Sequence, residues 1–396
     1  MLYLLWPTCR PKMCRSTYSQ WYKLASNPIN YQLRVVVDTI EQAQELPDFP
    51  FVRVGMPNTH GCAFPVYVLT HDLTPKDDDI IVLASDDFFP IKNWDVILKN
   101  KLAGKTKVLV VNDGNQFGEV ATIPILTGLA FKKLNNIIYH PNFKHLYTDT
   151  DFFASAKALG LIEDIRRKNK DILFEHRHYS VGKRPKDIID HNVQGYEGTD
   201  RLMYEGRLKM PIEKRLEVPK PEIILSILIL TIPSREKQLV ELMKCLEPQK
   251  HPNVEILIDK RKRLKIGTKR QDILEKAHGK YIVFIDDDDL VHPYYISMIL
   301  TAIKDSPDCV GINGIMTTDG KDPKQFIHSI KYKKWYDENG IYYRNPNHLN
   351  PVLKGLALKA GFKTINHGED HLYSHALFHL LRSEVYIENP IYHYRK

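Results

Sequence analysis

Two short apolar runs that end abruptly in acid organise this chain. Ile80 to Ala84 runs into Ser85-Asp86-Asp87, and Tyr281 to Ile285 runs into Asp286-Asp287-Asp288-Asp289. Apolar runs of this length, bounded by polar turns, read as buried strands. Each is followed by an amphipathic stretch, Trp94 to Leu102 and Tyr294 to Ile303, whose spacing predicts a helix. Superposing Ile81-Val82 on Ile282-Val283 sets Asp86 and Asp87 over Asp287 and Asp288.

Other landmarks recur in the same order. Each half opens with a strand entering a turn with Pro and Arg, LLWPTCR at 4–10 and LILTIPSR at 228–235. Each has an internal strand ending in Asp, RVVVD at 34–38 and VEILID at 254–259. Late acids (TDTD at 148–151, GED at 368–370) precede histidines (EHRH at 175–178, YHY at 392–394). Ordered self-similarity predicts two copies of one design. Alternating strands and helices predict an α/β fold with mostly parallel central sheets. The charged, proline-bearing stretch 200–222 reads as a linker, giving domains at 1–215 and 222–396.

Length fits this division, since 396 residues suit two domains at roughly 100–200 residues each. No apolar run approaches the roughly 20 residues of a membrane span. The longest, Ile223 to Ile232, is interrupted by Ser226 and stops at Pro233. The N-terminus lacks a basic leader, so no signal peptide is expected. Five scattered cysteines without a CxxC pair predict neither a disulfide framework nor a zinc cluster. A cytoplasmic protein is expected, in the host cytoplasm if the chain is viral. The net charge of +8 suits a polyanionic partner, and suits a nucleotide diphosphate equally well.

Carboxylates gathered at the end of a buried strand need compensation, because unpaired buried charge is costly. Hard oxygen ligands suit Mg²⁺ or Mn²⁺, and such an ion also grips a diphosphate. Ligands of open α/β sheets bind beyond the carboxyl ends of the strands, where these acids sit. The competing reading of an isolated pair such as Asp86-Asp87 is a solvated acidic turn.

With its partners, the stretch 223–396 resembles the inverting family 2 glycosyltransferases of the GT-A fold, the nucleotide-diphospho-sugar transferase fold. The resemblance implies a nucleotide loop at Pro233 and Arg235, and a base or ribose contact at Asp259. It implies a basic nucleotide-facing residue at Arg270 in the run 267–270, within a stretch (259–270) holding seven Lys or Arg. YIVFIDDDD corresponds to the DxD strand, with Asp286 and Asp287 at the nucleotide and Asp286 and Asp288 at the metal. NHLNPVLK and GEDHLYSHAL resemble the acceptor side, making Asp370 the catalytic base with Glu369 beside it. His393 would be the C-terminal metal contact, whereas His292 and His348 read as structural.

The first half resembles a GT-A domain less closely. Its match implies nucleotide contacts at Pro7, Arg10, Asp38 and Asp86, metal ligands at Asp87 and at His176 or His178, and a base at Asp149 or Asp151. Ser85 stands where the second half has Asp286. The resemblance therefore implies tandem GT-A-like domains and a metal-dependent transfer, with inversion, from a nucleotide sugar, UDP-linked by expectation. The acceptor is a glycan or another hydroxylated molecule. One alternative is a hydroxymethylated base in DNA, a substrate of phage-type glycosyltransferases. A non-catalytic carbohydrate- or polyanion-binding protein built from decayed domains is the other. Retention of Asp286, Asp288, Glu369 and Asp370 favours the enzyme.

Overall fold

The computed structural model describes residues 1–55, 61–115, 118–168 and 171–396. The chain divides into two compact units, Met1–Pro219 and Lys220–Lys396. Among the described residues, no helix is long and apolar enough to cross a membrane.

The first unit contains β1 (Leu2–Pro7), β2 (Tyr31–Val37), β3 (Val52–Val54), β4 (Ile80–Leu83), β5 (Phe88–Pro90), β6 (Val108–Val110), β7 (Ile125–Thr127), β8 (Ile162–Asp164) and β9 (Phe174–His176). Its main sheet has the order β3-β2-β1-β4-β7-β6-β8. The neighbours from β3 to β4 are parallel, β7 runs antiparallel to both β4 and β6, and β6 and β8 are parallel. β4 is buried along its whole length, which is why the sequence gives it four aliphatic residues without alternation. Leu5, Val36, Ile81, Leu126 and Phe131 share one core.

In the second unit the strands are β10 (Leu225–Leu230), β11 (Val254–Asp259), β12 (Tyr281–Asp286), β13 (Leu290–Val291), β14 (Cys309–Thr318), β15 (Lys321–His328), β16 (Tyr336–Glu338), β17 (Ile341–Arg344), β18 (Val352–Leu353) and β19 (Glu384–Arg395). The order β11-β10-β12-β18-β14 repeats the β2-β1-β4-β7-β6 order of the first unit, with β19 parallel to β14 as β8 is to β6. The strands that carry the acids are parallel in both. A small antiparallel pair also recurs, β5 with β9 and β13 with β19.

The stretch read as a linker is instead structure of the first unit. Helices at Glu197–Leu208 and Ile212–Arg215 cover the helix Thr148–Ala158. Three of its charges, Asp200, Arg207 and Arg215, are buried and bonded within the unit. Asp200, 1% exposed, accepts from the backbone N–H groups of Lys144, His145 and Leu146 at 2.8–2.9 Å. Arg207 forks onto Asp151 at 3.0 and 2.9 Å. A charged composition reads as solvated until the partners are known.

Candidate active sites

Each acid cluster begins where a strand leaves its sheet. In the first unit the Thr8 hydroxyl donates to Asp86 at 2.7 Å, and in the second Thr231 donates to Asp287 at 2.6 Å. These bonds fix the alignment of Asp86 with Asp287, and hence of Ser85 with Asp286 and Asp87 with Asp288. Trp6 Nε1 gives Asp86 a second donor at 2.8 Å. Burial raises Asp86 to about 6 despite these donors. It is a fully engaged, buried carboxylate.

A cavity of about 650 Å³ opens beyond β1 and β4. Pro7, Arg10, Asp38, Asp86, Asp87, Asp149, His176 and His178 all line it. Asp87, His176 and His178 each offer a ligand atom within 4.8 Å of the others. The rings come from β9 and the residues after it, which pair with β5 so that His176 lies opposite Phe88. His176 Nε2 is 3.5 Å from Asp87 and its Nδ1 is 3.6 Å from Asp113. Burial opposes charge on His176, but contacts with Asp113 and Asp87 outweigh it and raise the ring to about 9. Burial likewise works against Asp87, and His176 holds it down at about 2. A carboxylate, two imidazoles and a further carboxylate on the outer ring nitrogen form a donor set that fits a divalent ion.

Two first-unit expectations change. Asp151 is not in the cavity lining: it is buried in its ion pair with Arg207. Asp149, one half-turn earlier, faces the cavity. Burial raises its carboxyl, although the Thr150 N–H donates to it at 2.8 Å. Arg10 lines the cavity but is bound elsewhere, to Asp187 at 2.7 and 2.9 Å and to Asp190 at 3.0 Å. Arg184 forks onto both oxygens of Asp190, at 2.5 and 2.8 Å, and reaches within 3.9 Å of Asp87.

The second unit places Asp370 with the same backbone device. Asp370 is the second residue of the helix Glu369–Phe378, entered through left-handed Gly368 (φ 79°). Asp149 is the second residue of its helix, entered through left-handed Tyr147 (φ 61°). Glycine adopts this conformation freely, whereas tyrosine does so at a cost. Each Asp accepts the next residue's N–H at 2.8 Å. A second device recurs ahead of it. A Cβ on Gly267 would lie 1.8 Å from the Lys363 carbonyl oxygen, and one on Gly61 1.9 Å from that of Lys144. Both glycines let backbone press against the segment leading to the acid.

The remaining predicted residues have specific partners. Arg270, 6% exposed, spans Asp286 (3.1 Å) and Glu369 (3.4 Å), so it ties the end of β12 to the helix that carries Asp370. His348, read as structural, also approaches Asp286, at 3.4 Å. Burial would raise Asp286, but Arg270 and His348 outweigh it and hold it well below the usual carboxylate range. Arg235 contacts Asp287 at 3.0 Å and reaches Asp288 as well, while Pro233 begins the short turn that delivers it. Asp259 is forked by Arg261 at 3.0–3.1 Å, and Arg261 also reaches Asp272 while Lys260 reaches Glu236. The basic run is therefore partly neutralised. Asp289 is buried, accepts from the Tyr392 hydroxyl at 2.7 Å, and is raised by burial to about 7.

His393 does not join a metal set among the described residues. Its Nε2 lies 2.9 Å from the Thr317 hydroxyl. The cause is register. Leu290 pairs with His393, so the next pair sets Tyr394 opposite Asp289, the place His176 holds opposite Phe88. Adjacent strand residues face opposite ways, so the one-residue offset carries His393 off that face. Burial, then the charges of Asp286, Asp289, Asp288 and Asp370, raise the Tyr394 hydroxyl, which thus feels the whole acid group. Tyr394, Thr8, Thr231 and Asp113 were missed in the sequence. The threonines stood inside the matched strings WPT and ILT, and Asp113 at the end of an apolar run, but hydrogen-bond partners cannot be read from spacing.

Comparison with known proteins places a family match in the second unit. Residues 231–358 match Glycosyl transferase family 2. A curated Bacillus subtilis (strain 168) protein described as "Putative glycosyltransferase EpsH" is 27% identical over 150 residues, 33% of this chain and 41% of its own length. The chain thus spans less than half of that relative. Similar solved structures include S. aureus TarS 1-349 in complex with UDP-GlcNAc, at 16% identity over 44% of this chain and 58% of that one (TM-score 0.35). GalNAc-T7 with UDP, GalNAc and Mn2+ is similar at 11% identity over 45% of each chain (TM-score 0.34). What the sequence match and the acid-bearing strand together establish is a glycosyltransferase family 2 domain in the C-terminal region of this chain.

Proposed function

We propose that the chain transfers a sugar from a nucleotide-sugar donor, UDP-linked by preference, to an acceptor hydroxyl with inversion, and that both units are built for this reaction. The reading rests on Arg270, which joins Asp286 at the strand end to Glu369 beside Asp370. A donor site and a base are thereby held at one place by a buried cation. In the second unit Asp286 and Asp287 face the nucleotide, with Asp259 at its base or ribose once Arg261 is displaced. Asp370 accepts the proton of the attacking hydroxyl, on the face opposite the departing diphosphate. Attack from that face inverts the anomeric centre. Glu369 positions the base through Arg270.

In the first unit Asp149 takes the base role, and burial raises its carboxyl, which makes it a stronger proton acceptor. Asp87, His176 and His178 would hold Mn²⁺ or Mg²⁺, which when bound neutralises the diphosphate charge that builds as the glycosidic bond breaks. Asp113 orients His176, while Asp86 shapes the nucleotide end of the cavity through Trp6 and Thr8. Arg10 and Arg184 stand at the same cavity, paired to Asp187 and Asp190 until an anion competes for them.

The test is UDP release from a panel of UDP-sugars with Mn²⁺ present, with the mass added to candidate glycan and hydroxymethylated-DNA acceptors measured in parallel. Donor-dependent UDP release that quickens with one acceptor class supports the proposal and names the acceptor. No release from any nucleotide sugar sinks it in favour of a binding protein.

A further inference from the structure

We infer that the two units neutralise the donor diphosphate with different cations: a divalent ion in the first unit and the guanidinium of Arg235 in the second. The inference rests on both sites binding a nucleoside diphosphate, and its first measurement needs no nucleotide.

The threonine bonds of Thr8 and Thr231 align Asp87 with Asp288. At Asp87 two ligands, His176 and His178, stand within 4.8 Å; Arg184 lies 3.9 Å away with its fork on Asp190, and the arginine of the preceding turn, Arg10, is paired to Asp187 and Asp190. At Asp288 the neighbouring group is a cation. Arg235 reaches Asp288 and, at 3.0 Å, Asp287, while Arg270 holds Asp286 at 3.1 Å, so both carboxylates expected at an ion, Asp286 and Asp288, already meet a guanidinium. A divalent ion at Asp288 would have to compete with Arg235 for that carboxylate. Among the described residues no imidazole joins Asp288 in a group of three or more ligands; His348 lies 3.4 Å from Asp286 instead. Tyr394 takes the register place of His176, and His393 is bonded to Thr317. A phenol is a poor ligand for Mg²⁺ or Mn²⁺ beside a carboxylate–imidazole pair.

Arginine stays charged at every physiological pH and presents a planar fork of donors that matches phosphate oxygens. Arg235 is 38% exposed at its side chain, so it can leave the carboxylates for an incoming diphosphate without crossing a packed core. Arg270, its buried neighbour in the site, has Nη1 unpartnered and supplies a second positive group on the strand-end side. The second unit thus carries its counter-charge within the chain, and the first borrows it from solution.

The experiment is Mn²⁺ titration of the full chain by electron paramagnetic resonance, followed by UDP titration in a chelator by calorimetry. Wild type is expected to bind a single ion tightly, lost in Asp87→Ala and retained in Asp288→Ala. In the Asp87→Ala chain with chelator, UDP binding is expected to persist. Adding Arg235→Ala should weaken it about tenfold or more, and Arg235→Lys less. Two tight ions in wild type, or a single ion lost with Asp288→Ala and kept with Asp87→Ala, would overturn the inference. So would UDP affinity in chelator that Arg235→Ala leaves unchanged. Failure of wild type to bind UDP even with Mn²⁺ counts against the donor reading, and the ion count then judges the cation assignment alone.

Discussion

The two units use one backbone plan and surround it with different electrostatics. Both end a buried strand in a threonine-bonded aspartate, Asp86 or Asp287, and both enter the helix that carries Asp149 or Asp370 through a left-handed residue. Around the next carboxylate they diverge: Asp87 faces two imidazoles, Asp288 a guanidinium. A fold of this kind fixes where acids gather, since strand ends and helix starts are set by main-chain geometry. Which cation answers them depends on single side chains such as Tyr394 or His176, and these change without disturbing the sheet.

Four experiments sharpen or break this parallel, beginning with the largest effect. Asp370→Asn should lower transfer by the second unit by about 10²–10⁴-fold while UDP binding persists. Asp149→Asn should do the same to any product of the first unit, as read by acceptor mass. If Asp149→Asn changes no product, the resemblance is one of fold and the first unit serves another role. Asp151→Ala, by contrast, should act on stability. It strands Arg207 without its buried partner, at a cost of about 3–5 kcal/mol in denaturant unfolding. Normal stability with lost transfer would instead make Asp151 the base.

Gly61→Ala and Gly267→Ala force a Cβ against a carbonyl oxygen, and each should cost about 1–3 kcal/mol. Thermal unfolding that responds to one and ignores the other would show that the close approach is shared in appearance only. The smallest effect concerns acid. His145 in the first unit is lowered by burial to about 4 and His328 in the second to about 3, so both are neutral when folded. Between an unfolded value of about 6.5 and those folded values, the unfolded chain binds more protons. The share of stability that these two histidines govern should therefore be constant above about pH 6.5 and fall as pH drops through that window, by up to about 1.4 kcal/mol per pH unit for each histidine. His145→Gln and His328→Gln should each flatten part of that slope. Equal slopes in wild type and both variants would remove the histidines from the acid response.

Much of the site was legible in the chain because strands that end in acid leave a local signature. IIVLASDD and YIVFIDDDD announce both the strand and its end. The choice between Asp149 and Asp151 was not legible. It turns on the side of a helix, and the partner that claims Asp151, Arg207, comes from a stretch whose charges read as a linker. His393 failed for a similar reason. Between two tyrosines, either face of β19 is chemically plausible, and only pairing with Leu290 says which one looks at the acids.

The sequence by itself determined the α/β class, the repeated order of landmarks and the positions where carboxylates collect. These follow from hydrophobic periodicity and from where an apolar run stops, both local properties. Tertiary structure alone decided which carboxylate meets which cation: Arg10 with Asp187, Arg270 with Asp286 and Glu369, Arg235 with Asp287 and Asp288. Those pairings join residues that are mostly far apart in the chain. An ionic contact depends on distances of a few ångströms that strand register sets and composition does not encode.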